Sequence, residues 1–296
     1  MRQSGRRRMK TLTLSKLLAS AAMCAVALSG AATAQPHPDA ELIIEGELQL
    51  KVRSEPAAHM DGAVPEIYSG WLFRADETRA LQMDDFENPA MLGVEDGEAM
   101  WNTAEGAAGQ SCADCHGDAA ESMKGVRAAM PKVNADGVLW STEDYINNCR
   151  TERMEADALK WNSGPLNNMV AYISVQSRGM PVAVQIDGEA EPYWERGKEM
   201  YYTRYGQLEL SCASCHEENY GMNIRADHLS QGQINGFPTY RLKQAKLIST
   251  HNRFRGCIRD TRAESFPMGS DEFRALELYV ASRGLGLDVE GVAVRN

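Results

Sequence analysis

The stretch Ser111-Cys112-Ala113-Asp114-Cys115-His116 decides how this chain is interpreted, because it recurs as Ser211-Cys212-Ala213-Ser214-Cys215-His216 one hundred residues later. Cys-x-x-Cys-His is the attachment signal for haem c. The two thiols add to the vinyl groups of the haem, and the adjacent histidine supplies the proximal nitrogen to the iron. One copy could be a redox dithiol or half of a zinc site. Two copies at one offset predict two covalently bound haem c groups.

The repeat extends beyond the haem motifs on both sides. The segment Gly97–Trp101 is echoed by Gly197–Tyr201, and both halves end in Ser-Arg-Gly, at 177–179 and 282–284. Each half also has one lone cysteine followed by an arginine, in Cys149-Arg150 and in Cys257-Ile258-Arg259. Two similar halves at a fixed offset indicate two copies of one structural unit.

Helical patterns dominate both halves, and strand-like alternation is scarce. We therefore predict an all-α fold with two cytochrome c-like haem domains in tandem, at 93–186 and 187–296. Residues 35–92 match neither half and are predicted to form an N-terminal extension, with a helix around residues 75–85.

The N-terminus has the layout of a secretory signal peptide. A basic start that includes Arg6, Arg7 and Arg8 precedes an apolar run from about Leu14 to Leu28, and small residues lie before Gln35. The run is too short for a membrane anchor, so no membrane span is expected. We predict that residues 1–34 are removed and that the mature protein is periplasmic.

Net charge limits the partners that the chain can bind. The whole sequence has a formal charge of −10, and residues 1–34 contain six basic and no acidic residues, so the mature chain has a charge of −16. Such a chain is a poor match for nucleic acid or for an anionic membrane surface. An anionic substrate would need a local basic patch.

Spacing alone does not identify the second axial ligand of each haem. Methionine is a common sixth ligand in small c-type cytochromes. The lone cysteines Cys149 and Cys257 compete with it because thiolate also ligates iron and each half has one cysteine at an equivalent place. They could instead form a disulfide with each other or be inert buried thiols. His228 and His251 are minor alternatives for the second iron.

The surroundings of Cys257 are strongly basic. Seven cationic residues and only one acid, Asp260, lie between residues 240 and 262; the cations are Arg241, Lys243, Lys246, Arg253, Arg255, Arg259 and Arg262. A cationic pocket would attract a small dianion, and arginine suits the recognition of oxyanions. The alternatives are pairing with haem propionates or a solvated helix face. The surroundings of Cys149 are near neutral.

These residues resemble the SoxA family, the dihaem subunits of the periplasmic SoxAX complexes of sulfur-oxidising bacteria. The resemblance rests on the two haem motifs, the lone cysteine after each, and above all the arginine-flanked run 251–260 around Cys257. The segments 69–70 and 82–89 of the extension are similar to the family's pre-domain segment. The resemblance covers essentially the whole mature chain.

The resemblance implies an L-cysteine S-thiosulfotransferase, in which thiosulfate is joined oxidatively to a cysteine of the carrier complex SoxYZ. It implies that His216 and Cys257 are the axial ligands of the active-site haem and that Cys257, often a persulfide in the family, handles the sulfur. It further implies that Arg253 contacts the substrate and that His116 and Cys149 ligate the first haem. Electrons would pass to the monohaem SoxX subunit of the heterodimer and then to a soluble cytochrome c.

Three other functions remain open from the residues, and one of them is a partner-binding role in which the chemistry lies on another subunit. A dihaem electron carrier without its own substrate would have no need of the basic cluster. A dihaem peroxidase also has two Cys-x-x-Cys-His motifs, but it needs an iron site that can open to peroxide. Two cysteines at equivalent distal positions argue against the peroxidase.

Overall fold

The computed structural model of the protein describes residues 36–224 and 227–296. The predicted signal peptide lies outside the described residues. Helices make up most of the regular structure of the described part. In chain order they are α1 Asp76–Met83, α2 Met91–Trp101, α3 Cys112–His116, α4 Ala119–Ser122, α5 Thr142–Glu152, α6 Gly164–Val175, α7 Glu191–Tyr202, α8 Cys212–His216, α9 Thr250–Asp260 and α10 Asp271–Ser282.

Serine side chains start the helices of both halves. Ser111 before α3 and Ser211 before α8 each accept a hydrogen bond from the backbone N–H three residues later. Ser163, Ser249 and Ser270 cap α6, α9 and α10 in the same way. A serine at this position satisfies one of the backbone donors that the first helical turn leaves without a partner. The repeated serines of the sequence are therefore helix starts.

Two equivalent helix pairs form the cores of the halves. α2 crosses α6 in the first half, and α7 crosses α10 in the second. A glycine lies at each crossing, and a Cβ atom at Gly97 or Gly197 would overlap the backbone carbonyl of Asn168 or Ala275. The repeated glycines let the paired helices approach each other to backbone contact.

The described part also contains short strands, which the all-α prediction left out. They are β1 Leu42–Ile44, β2 Leu48–Leu50, β3 Arg53–Ser54, β4 Ile67–Tyr68, β5 Lys132–Val133, β6 Leu139–Trp140, β7 Asn223–Ile224, β8 Asp227–His228, β9 Thr239–Arg241, β10 Lys246–Ile248 and β11 Ala293–Arg295. Most form two-stranded hairpins, while β9 lies between antiparallel β10 and parallel β11. Strands of two or three residues are too short to show an alternating pattern.

The N-terminal extension packs against the C-terminal residues. The predicted helix of the extension is present as α1, and Gln82 on it donates a hydrogen bond to Glu290, 2.8 Å away. Ser69 also bonds to the buried Glu290, and Asn88 donates to the carbonyl of Val292. Glu290 is fully buried, so these bonds are shielded from water.

The hydrophobic clusters include residues of both predicted haem domains. Leu139 and Val184 pack with the core of the second half, whereas Leu247 and Val292 pack with that of the first. The domain boundaries 35–92, 93–186 and 187–296 stay a prediction. Within residues 36–224 and 227–296, no helix is long and apolar enough to cross a membrane.

Candidate haem and sulfur site

Each haem motif occupies one short helix with its histidine as the last residue. α3 runs from Cys112 to His116 and α8 from Cys212 to His216. All six cysteines of the described part are free, so no disulfide joins Cys149 to Cys257 there. In both motifs the two thiols are therefore available for covalent attachment of a haem.

The loop after α8 holds the imidazole of His216 in one orientation. The Nδ1 atom of His216 lies 2.7 Å from the backbone carbonyl oxygen of Ser230. A carbonyl oxygen only accepts, so Nδ1 carries the proton and Nε2 is free to bind a metal. Gly232 lies flat against the ring, since a Cβ atom there would come within 2.9 Å of the His216 Cγ. This is the arrangement expected of an iron-ligating histidine.

Backbone contacts bring each lone cysteine to its own haem motif. In the second half the loop before α8 bonds to the end of α9, with the Leu208 N–H donating to the Thr261 carbonyl at 3.2 Å. In the first half the Ala108 N–H donates to the Met154 carbonyl at 3.2 Å, next to the end of α5. α9 carries Cys257, and α5 carries Cys149. The two cysteines therefore occupy equivalent places, as the repeat predicts.

A cavity of about 200 Å³ opens between α8 and α9. Its lining includes Cys212, Cys215, His216 and Cys257, together with Arg253 one turn before Cys257 on α9. Large apolar side chains, among them Phe254, Leu276 and Val280, complete the wall. Two attachment thiols, a histidine with a free Nε2 and a thiol converge on one largely apolar cavity. These residues fit a haem c.

The charge around Cys257 favours a thiolate. Burial alone would raise the pKa of this thiol, but the Arg253 guanidinium and the nearby His216 imidazole outweigh burial and lower the pKa to about 7. Burial raises the pKa of Cys149, against a weaker opposing effect of Arg153. Burial also raises the pKa of Cys212 to about 12. The site around Cys257 is therefore the more electropositive of the two.

The first site is more open. Cys115 and His116 are exposed, whereas Cys112 and Cys149 are partly buried. The ring of Trp101 lies 5.7 Å from that of His116, and its Nε1 donates to the Gly117 carbonyl at 3.0 Å. Arg150 pairs with Glu105 at 2.7 Å across the loop that precedes α3. Cys149 interacts electrostatically with both Cys112 and Cys115, so the cysteines predicted to hold the first haem are close together on a more exposed face.

Comparison with known proteins gives consistent matches. Residues 96–182 match the family model of the SoxA/TsdA cytochrome c domain. The chain is 55% identical over 289 residues to the L-cysteine S-thiosulfotransferase subunit SoxA of Rhodovulum sulfidophilum, covering 97% of this chain and 100% of that protein. It is also 55% identical over 292 residues to the SoxA subunit of Paracoccus pantotrophus, with the same coverage.

This chain belongs to the SoxA family. The crystal structure of SoxXA from P. pantotrophus has a chain that matches it with a TM-score of 0.86 and 55% identity, covering 88% of this chain and 100% of that chain. The cytochrome c domain at 96–182 means that this SoxA-family chain binds haem c covalently.

In this SoxA-family chain the basic cluster divides into two groups. Arg241 and Arg253 line the cavity. The other five members are exposed and outside the cavity lining; they are Lys243, Lys246, Arg255, Arg259 and Arg262. The family resemblance singled out Arg253, and the structure places it on α9 four residues before Cys257, on the same face of the helix. The position of Arg241 could not be predicted.

The two other histidines of the second half have separate environments. His251 is buried outside the cavity, stacked on Trp161 with ring centroids 4.6 Å apart and with Nε2 lying 3.2 Å from the Glu277 carboxylate. The alternative in which His251 ligates the second iron is therefore wrong. His228 does line the cavity, and its Nδ1 is 3.0 Å from the Phe73 carbonyl of the extension. Sequence reasoning missed Arg74, which also lines the cavity and donates to the His228 carbonyl.

Proposed function

We propose that this chain is the haem-bearing subunit of an L-cysteine S-thiosulfotransferase and couples thiosulfate oxidatively to a cysteine of the SoxYZ carrier. The observation that carries the proposal is the convergence of Cys257, His216 and Arg253 on one cavity. The names of the SoxA relatives and of the SoxXA structure support it.

We assign two haem groups to the chain. Cys212 and Cys215 would hold one covalently, with His216 and Cys257 binding its iron. Cys112 and Cys115 would hold the other, with His116 and Cys149 binding its iron. A ferric haem in the second site would accept electrons one at a time. The bond from His216 to Ser230 would keep the ligating nitrogen unprotonated.

The side chains of the cavity suit an anionic sulfur substrate. Arg253 is assigned as substrate-binding, because its guanidinium can offer two parallel donors to an oxyanion. Its charge would offset that of thiosulfate, which must otherwise approach a sulfur that is itself electron-rich. Arg253 and Cys257 also interact with each other, and the negative charge of the Cys257 thiolate raises the pKa of Arg253. Anion binding and sulfur chemistry would thus share one place.

Cys257 is assigned as the catalytic sulfur. Overall, a new sulfur–sulfur bond forms between thiosulfate and the carrier cysteine, the carrier S–H bond breaks, and one proton and two electrons are released. A polarisable thiolate whose pKa lies near 7 can hold a sulfur in transit. Whether Cys257 carries an extra sulfur at rest can be read from peptide mass mapping around this residue.

The electrons need a path out of the chain. We propose the monohaem SoxX subunit as partner in a heterodimer and a soluble cytochrome c as the final acceptor. The match to a chain of the SoxXA crystal structure supports the first of these. The signal-like segment 1–34 and covalent haem attachment are consistent with a periplasmic protein.

The test is a matched pair of cysteine variants. We expect Cys257→Ser to lower thiosulfate- and SoxYZ-dependent turnover at least about 10³-fold, a loss typical of a residue that takes part in bond formation, with both haems still attached. Cys149→Ser, at the equivalent place in the first half, should retain measurable coupling. Full coupling by Cys257→Ser would assign the chain to electron transfer only. Peroxide reduction by the wild type in place of coupling would indicate a dihaem peroxidase.

A further inference from the structure

The cavity wall contains a second arginine, Arg241, besides Arg253. Arg241 is the last residue of β9, which lies between β10 and β11, so its backbone is held on both sides. Its side chain lines the same cavity as Cys257 and Arg253. Arg253 approaches from a helix and Arg241 from a sheet, twelve residues earlier in the chain.

Arg241 lacks the partners that a buried guanidinium normally has. Its Nε atom is buried without a hydrogen-bond partner among residues 36–224 and 227–296. In the same part of the chain it forms no ion pair, and the nearby Asp227 carboxylate is paired with Lys243 at 2.5 Å. Burial and the charge of Arg253 lower the pKa of Arg241. Two cations that line one cavity repel each other, and an anion bound between them would offset that repulsion.

An acceptor of its own separates each of the other cavity arginines, Arg74 and Arg295, from Arg241. Arg74 donates to the His228 carbonyl at 2.9 Å, and Arg295 pairs with Glu290 at 2.8 Å. Arg241 is near enough to Cys257 to interact with it electrostatically. Arg241 is therefore the arginine besides Arg253 that is both close to Cys257 and without an assigned acceptor in the described residues.

We propose that Arg241 is a second substrate-binding residue, which together with Arg253 clamps the sulfonate end of the thiosulfate dianion beside Cys257. The inference rests on the proposed function. Two guanidinium groups carry the charge that a dianion needs, and each has a planar fork of donors for sulfonate oxygens. Clamping the sulfonate from two sides would leave the terminal sulfur of thiosulfate directed away from both arginines. The same pair would discriminate against monoanions, which satisfy only one of the two charges.

The test compares Arg241→Gln with Lys246→Gln in the holoprotein with its SoxX partner. Lys246 is the register partner of Arg241 on β10, carries the same charge and is exposed outside the cavity lining. Thiosulfate affinity is measured by calorimetry without the carrier, and thiocyanate serves as the monoanion. Haem content and the reduction potential of the second haem are measured on the same samples.

We expect Arg241→Gln to weaken thiosulfate binding about 10- to 100-fold, the range for a lost charge-assisted hydrogen bond. KM should rise by the same factor with kcat within about threefold, while haem content, potential and thiocyanate binding stay as in the wild type. Arg241→Lys should fall between the two, and Lys246→Gln should equal the wild type.

Two results would overturn the proposal. One is thiosulfate affinity of Arg241→Gln within about threefold of the wild type. The other is a shifted potential or lost haem with no selective loss of thiosulfate, which would assign Arg241 to a haem propionate instead. A wild-type protein that binds thiosulfate through Arg241 but never couples it would refute the proposed function alone. A wild type that does not bind thiosulfate would refute both.

Discussion

A single methyl group at Gly232 should disturb the ligand environment of the second haem. Gly232 has a φ of +78°, and a Cβ atom there would lie 2.9 Å from Cγ and 3.0 Å from Nδ1 of His216. The ring cannot move away freely, because its Nδ1–H is bonded to the Ser230 carbonyl at 2.7 Å. Gly232→Ala therefore combines backbone strain with a direct clash against the proposed iron ligand.

The cost can be worked from these contacts. An L-residue with this positive φ costs about 1–2 kcal/mol. Moving the ring by about half an ångström to restore normal contact costs about 1–3 kcal/mol by analogy with overpacked cores. We expect the free energy of unfolding to fall by about 2–5 kcal/mol. The absorption spectrum of the second haem should also change, since the His216 ring would tilt away from its bond to Ser230.

Gly109→Ala is the matched control. Gly109 also has a positive φ, +60°, but a Cβ atom there would meet nothing within 4 Å. It should cost about 1–2 kcal/mol through backbone strain alone and leave the second haem unchanged. Urea unfolding and visible spectroscopy on both variants decide the matter. Equal losses of stability, together with an unchanged haem spectrum in Gly232→Ala, would refute the idea that this glycine positions His216.

Three further variants test other parts of the molecule. Arg253→Lys keeps the charge but loses the fork of donors, so KM for thiosulfate should rise about tenfold while haem content is unchanged; an unchanged KM would count against the assigned contact. Burial and the adjacent Glu277 carboxylate raise the pKa of Glu143. The folded state therefore loses stability as the pH rises through the pKa that Glu143 has in the folded protein. Glu143→Gln should accordingly be more stable than the wild type at pH 8, by about 1–3 kcal/mol, with the gap closing towards pH 5 in urea titrations; the reverse trend would contradict a neutral Glu143. Gly197→Ala should cost at least about 1–3 kcal/mol by forcing α7 from α10, and a thermal melt identical to that of the wild type would show that the crossing is looser than described.

The sequence alone determined the features that depend on local chemistry. The two Cys-x-x-Cys-His motifs and the equivalence of Cys149 and Cys257 follow from spacing along the chain, and the role of Arg253 was expected from the resemblance to the SoxA family. The helix of the extension was also predicted, as residues 75–85 against Asp76–Met83 in the structure. Such features are readable because they need only a few neighbouring residues.

Only the tertiary structure decided which distant groups meet in the cavity. Apart from Arg253, the cations near Cys257 looked alike in sequence, yet Arg241 lines the cavity while its register partner Lys246 is exposed outside the cavity lining. His251 seemed available to the iron until its stack on Trp161, ninety residues earlier, placed it elsewhere. The contact of the extension with Glu290 joins residues more than 200 positions apart in the chain. The hairpins consist of strands that are too short to show an alternating pattern. Contacts between residues far apart in the chain decide these placements, and the local pattern of apolar and polar residues carries no information about such contacts.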